Sequence, residues 1–147
     1  MAIDEAEILA AGAGELLDVL GERILVKGRA ADGAWILFEV EKNPVSKAPA
    51  HSHPWAETYY LLSGGMRMRV ADRIVDAGPG TSVHVPPNVV HQFLAPVLPN
   101  TRFLALISPA SGEGFFRDLA DAAGTIDPAK IAAIAGEHGV ALVAPPA

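Results

Sequence analysis

From about Leu16 to Ser108 the chain alternates short apolar runs with Gly, Pro, Asn and Asp. Ile24-Leu25-Val26, Trp35–Val40, Thr58–Leu62, Met66–Val70, Val83-His84-Val85 and Arg102–Ile107 have the length and the β-branched and aromatic content of strands. Short, evenly spaced strands parted by turn residues predict an all-β sandwich or barrel. Ser63-Gly64-Gly65 predicts a hairpin between 57–62 and 66–70, because glycine accepts the positive φ of a tight turn. Past Ser108 the period changes. Phe115, Phe116, Leu119 and Ala122 fall roughly on one helical face. Asp127-Pro128 reads as an N-cap followed by Pro at the first helical position, Ile131 and Ile134 line one face, and Gly139 is the stop. The expectation is an N-terminal arm over 1–15, a β unit over 16–108 and an extension of two short helices over 109–147, all one domain. Residues 1–14, rich in Ala, Glu and Gly, read as a short helix or as a loose arm.

Composition narrows the function. A chain of 147 residues, half of them apolar, suits one core. No apolar run approaches the roughly 18 residues of a membrane span. The acidic start lacks the basic and apolar regions of a secretory signal, so a cytoplasmic protein is expected. With no cysteine, a disulfide scaffold, a thiolate zinc site and a thiol nucleophile are excluded. A net charge of −6 with 11 scattered basic residues argues against nucleic acid and leaves a small molecule as the expected partner.

The candidate chemistry lies in His51, His53, Glu57 and His91. Three imidazoles and a carboxylate can hold a divalent transition metal and leave positions open for substrate. Residues 51, 53, 57, 59 and 61 share parity, so His51, His53, Glu57, Tyr59 and Leu61 face one side if that segment stays extended. His91, Phe93 and Ala95 share a face in the same way. Adjacency of these two strands is then all that a metal requires.

With these spacings the chain resembles the cupin superfamily. His51-x-His53-x3-Glu57-x6-Gly64 follows the family's first motif, except that its leading Gly falls at Val45. Gly80, Pro86 and His91 follow the second motif, with Asn88 at a Gly position and Ala95 at the Asn position. Asn88 also accepts the left-handed conformation. The resemblance covers about Leu16 to Ser108, and Gly114–Leu119 is similar to the C-terminal extension of bacterial cupins. It implies a double-stranded β-helix (a jelly-roll barrel) and a homodimer. It also implies His51, His53, Glu57 and His91 as ligands of one iron, nickel, manganese, copper or zinc ion.

Other residues carry two readings. His84 is an acid–base group if it points into the barrel, and a structural histidine otherwise, the reading favoured here. Tyr59 is placed to hydrogen-bond a substrate. Trp55, in the turn between ligands, is expected to cover the pocket mouth. Met66, Met68 and Phe93 are expected as pocket wall or core, and His138 as a cation at a helix end. The leading functional expectation is a metal-dependent, dioxygenase-like cupin similar to quercetin 2,3-dioxygenase. It would act on a small oxygenated compound, aromatic or flavonol-like, with Glu57 as the catalytic base. The alternatives are a redox-neutral isomerase, cyclase or lyase and a non-catalytic binding cupin. Few charges share the interior parity, which predicts an uncharged or weakly anionic substrate.

Overall fold

The computed structural model describes residues 5–44, 48–94, 97–122 and 127–144. Two antiparallel sheets face each other. The larger contains β1 (Glu15–Val19), β2 (Glu22–Arg29), β3 (Ile36–Glu41), β5 (Ala56–Ser63), β8 (Ser82–Val85) and β10 (Arg102–Ser108), in the order β1-β2-β3-β10-β5-β8. The smaller contains β4 (Ala50–Ser52), β6 (Met66–Val70), β7 (Arg73–Ala77), β9 (His91–Leu94) and β11 (Ala141–Val143), in the order β11-β4-β9-β6-β7. The helices α1 (Glu113–Asp121) and α2 (Pro128–Glu137) follow β10. This is the expected all-β barrel with a helical extension.

Alternation explains the core. Ile36, Phe38 and Val40 of β3 are buried while Glu41 at its end is exposed, and β10 buries Phe103, Ala105 and Ile107 between exposed or half-buried positions. The register sets these side chains in rows across the inner face: Ile36, Ile107, Glu57 and Val85, then Phe38, Ala105, Tyr59 and Val83, then Val40, Phe103 and Leu61. Phe116 packs edge-on against Phe38 and closes the row from the helical side.

Three expectations are corrected. First, 57–62 and 66–70 form no hairpin: β5 pairs with β8 and β10, and β6 with β7 and β9. Gly64 carries the chain from one sheet to the other with φ 75°, and a Cβ there would sit 2.5 Å from Thr101 Cα. Glycine is needed for a crossover, which uses the same local conformation as a hairpin turn. Second, 51–61 is not continuously extended. The chain bends after β4, at Pro54, so His51 belongs to the smaller sheet and Glu57 to the larger. They still converge, because the inner faces of the two sheets oppose each other. Third, the extension is more than helical, since β11 adds a strand to β4 with Leu142 opposite His51.

Local helix signals hold: Asp127 Oδ1 accepts from Lys130 N at 2.7 Å, Pro128 opens α2, and Gly139 follows it with φ 71°. Residues 5–14 form neither helix nor strand; Lys27 Nζ donates to the carbonyls of Ala10 and Ala13 at 2.9 and 2.8 Å and ties this arm to β2. Val45 and Ala95, the two motif departures that lack a Gly and an Asn, lie outside the described residues.

Candidate metal centre

His51 and His91 face each other directly across the β4–β9 pair, with ring centroids 4.4 Å apart. His53 follows β4 and stands edge-on to His91 at 4.8 Å. The second motif reaches back to the first here: Asn88, at φ 64°, donates its N–H to His53 O at 2.8 Å. The three histidines offer ring nitrogens that lie within 4.8 Å of one another. Glu57, from the opposite sheet, brings Oε2 to 3.1 Å from His53 Nε2 and 4.0 Å from His91 Nε2.

The hydrogen bonds fix which nitrogen faces inward. Nδ1 of His51, His53 and His91 each lies 2.9 Å from a carbonyl oxygen, of Pro49, Trp55 and Val89 respectively. A carbonyl only accepts, so each Nδ1 carries the proton and each Nε2 presents a lone pair to the centre. His91 Nε2 is buried with no hydrogen-bond partner. An acceptor left unmade in this way costs about 1–3 kcal/mol. At His53 the lone pair meets the Glu57 carboxylate, another acceptor, and two acceptors at that distance require a cation between them. A proton meets this need at one pair; a divalent metal meets it for all four groups. The residues therefore fit a nitrogen- and oxygen-bound transition metal.

Electrostatics favour the same state. Burial, reinforced by the charge of His51, pushes His91 down to about 4, and burial likewise lowers His51. Both are neutral, as ligands must be, at neutral pH. Burial pushes the Glu57 carboxyl up, but with no metal bound a proton shared with His53, together with His91 and the Tyr59 hydroxyl, outweighs it and holds the group below its ordinary value. Burial beside the Glu57 charge raises the Tyr59 hydroxyl well above its usual range, so it stays protonated and donates to Glu57.

The centre opens into a cavity of about 130 Å³ between the sheets and the helices. Tyr59, Phe93 and Phe103 form an aromatic cluster in its wall, with centroids 5.5–5.8 Å apart. Ile131, Val140 and Leu142 of the extension complete the wall.

Four residues do not line this cavity. His84 sits on the outer face of β8, exposed and bonded to Thr58 Oγ1 at 2.8 Å, because β8 turns Val83 and Val85 inward. Trp55 does not cover the mouth. It is 4% exposed, stacks on His53 at 4.3 Å and packs against Phe115, Phe116 and Gly112, so it braces His53 from behind. Met66 and Met68 are buried core residues elsewhere between the sheets. Sequence reading missed the Lys42–Glu22 ion pair, which does line the cavity. Parity carried the signal: 42 continues the inward set 36, 38 and 40, and 22 precedes 24 and 26.

Fold and site together define a cupin. The cupin-domain family profile matches residues 37–106, and the chain belongs to the cupin superfamily. Quercetin 2,3-dioxygenase of Bacillus subtilis (strain 168) is 31% identical over 100 residues, which are 67% of this chain and 29% of that relative. The chain thus spans less than a third of that enzyme's length. An RmlC-like cupin from Shewanella frigidimarina superposes with a TM-score of 0.61 at 22% identity, covering 74% of this chain and 96% of that one. The polyketide cyclase RemF from Streptomyces resistomycificus superposes with a TM-score of 0.57 at 22% identity, covering 72% and 80%. Among the described residues, no helix is long and apolar enough to cross a membrane.

Proposed function

We propose that this protein is a metal-dependent, dioxygenase-like cupin whose metal is held by His51, His53, His91 and Glu57, and whose substrate is a small oxygenated compound. One observation carries the reading: three histidines locked through Nδ1 turn their Nε2 atoms to one centre, beside a buried carboxylate, at the end of an apolar cavity. A bound divalent ion supplies Lewis acidity toward a ligand enol or hydroxyl oxygen. Glu57, charged at neutral pH, accepts the proton released from that oxygen, and the Tyr59 hydroxyl orients the carboxylate through its hydrogen bond. The aromatic cluster excludes water and holds a planar ligand by stacking and edge contacts.

Cavity size supports a narrower substrate class than the flavonols. An apolar cavity of about 150 Å³ accepts benzene, and the present one is about 130 Å³. A single ring or a short enediol suits it better than a three-ring compound. Exposed Leu16, Tyr60, Leu62 and Leu106 on the larger sheet support self-association as a homodimer.

The Tyr59–Glu57 pair favours a second reading. A protonated hydroxyl bonded to a carboxylate is an acid–base pair suited to redox-neutral isomerase, cyclase or lyase chemistry on the same substrates. The test is to measure metal content by plasma mass spectrometry, then screen single-ring enediols and catechols by oxygen uptake with product analysis. Stoichiometric metal and oxygen uptake with turnover support the first reading. Conversion without uptake supports the second, and a wild type that holds no metal after reconstitution overturns both.

A further inference from the structure

Among the described residues lining the cavity, the charged or hydrogen-bonding side chains are those of the His–Glu–Tyr cluster and one ion pair, Lys42–Glu22. The Lys42 side chain is 1% exposed and that of Glu22 15%. Burying such a pair breaks even at best, and apolar side chains of similar volume would fill the space without the desolvation cost. Yet the backbone holds both residues firmly. Lys42 N donates to Thr101 O at 2.9 Å, and the wholly buried Thr101 donates through Oγ1 to Leu98 O at 2.7 Å. Glu22 follows the β1–β2 turn, where Leu20 and Gly21 hold φ 53° and 84° and Asp18 Oδ1 accepts from Gly21 N.

The ammonium carries three donors. One is accepted by Glu22 Oε1, and Nζ stands 4.5 Å from the Phe93 ring centroid. Phe93 meets Tyr59 at 5.5 Å, and Tyr59 bonds to Glu57. The cavity thus has two polar ends, a metal centre and an ion pair, joined by an aromatic waist. Because Glu22 balances the charge, the far end attracts an oxygen that carries full or partial negative charge without demanding a free anion.

We propose that Lys42, held in place by Glu22, anchors the far end of the ligand by donating to a carboxylate, phenolate or carbonyl oxygen of a single-ring compound. The compound's chelating oxygens lie at the His51–His53–His91–Glu57 end. The orientation of the ligand rests on the metal reading above; the anchor itself does not require the metal. It narrows the substrate to rings with oxygen functions at opposite ends.

The test uses catechol and 3,4-dihydroxybenzoate, which share a chelating end and differ in the far acceptor. Binding is measured calorimetrically with wild type, Lys42→Met and Lys42→Met/Glu22→Gln, each zinc-loaded to prevent oxidative turnover and, separately, stripped with chelator. The double variant leaves no buried charge unpaired, so it stays informative where Lys42→Met alone fails to fold. The wild type is expected to bind the acid roughly tenfold or more tightly than catechol, as a charge-assisted hydrogen bond provides. The double variant is expected to lose that preference, read as the ratio of its affinities for the acid and for catechol. A preference retained in the double variant, or absent from the wild type in both metal states, overturns the anchor. Zinc content, read separately, reports on the metal centre, so the two ideas fail independently.

Discussion

Among the described residues two clusters bring three ligand-type side chains together, and they differ in nearly everything else. His51, His53 and His91 converge between the sheets; Asp118, Glu137 and His138 converge where α1 meets the end of α2. In the second, His138 Nε2 already bonds to Asp118 at 2.6 Å, the Asp118 side chain is about half exposed, and Phe115 packs edge-on to the imidazole. Its polar atoms have each other and water. In the first, the Nδ1 atoms are committed to carbonyls and the Nε2 atoms point at one place, one of them with no partner at all. Proximity is common on protein surfaces. Imidazole nitrogens turned to a shared point are not, above all where one, His91 Nε2, is buried without a partner.

The largest expected contrast is in metal content. His91→Ala is expected to weaken metal binding by more than roughly 100-fold, beyond the loss of a supporting partner. Asp118→Asn is expected to leave stoichiometry unchanged, as plasma mass spectrometry would show; equal losses in both would erase the distinction. Next comes stability. Chelation is expected to lower Tm by roughly 5–10 °C, because a metal at about 100 times its Kd contributes about 2.7 kcal/mol. His53→Ala is expected to abolish that shift in differential scanning fluorimetry.

Glu57→Gln separates holding from turning over. Turnover is expected to fall at least about 100-fold, the scale of a lost general base, when compared at equal metal occupancy read by plasma mass spectrometry on the same samples. Unchanged turnover would remove Glu57 as the base.

The pH profile of metal-stripped protein sharpens the contrast further. Folded His91 lies near 4, against an ordinary value of 6.5. Between these values the unfolded chain takes up the proton first, so stability is full above pH 6.5, falls as pH drops toward 4 and levels off below that. Metal-loaded protein is expected to resist this loss until acid displaces the metal. Coincident urea midpoints from pH 7 to 4 in the stripped protein would contradict it. The smallest effect belongs to the outer cluster: His138→Ala is expected to cost about 1 kcal/mol or less in urea unfolding, the scale of a partly exposed ion pair.

Much of this was readable along the chain. The inward alternation of β3 and β10, the Asp127-Pro128 start of α2 and the ligand spacings are all written within a few residues. The Ser63-Gly64-Gly65 turn was read correctly as a turn and wrongly as a hairpin, since positive φ serves a crossover equally well. Glu57 and His51 were expected to meet through one extended strand, and they meet across two sheets. Trp55 lies beside the ligands in sequence, and only packing against Phe115, Phe116 and Gly112 shows that it stands behind His53.

The sequence by itself determined β2, β3, β5, β6, β8 and β10, the start of α2, the residue types able to hold a metal and their family. Those properties follow from backbone preferences and side-chain chemistry, which act over a few residues. The tertiary structure alone decided which sheet each strand joins, which nitrogen of each histidine faces inward, how little room the cavity leaves and that Lys42 meets Glu22 inside it. These depend on contacts between residues far apart in the chain. Among such contacts, alternatives of similar local energy are separated only by the packing of the whole.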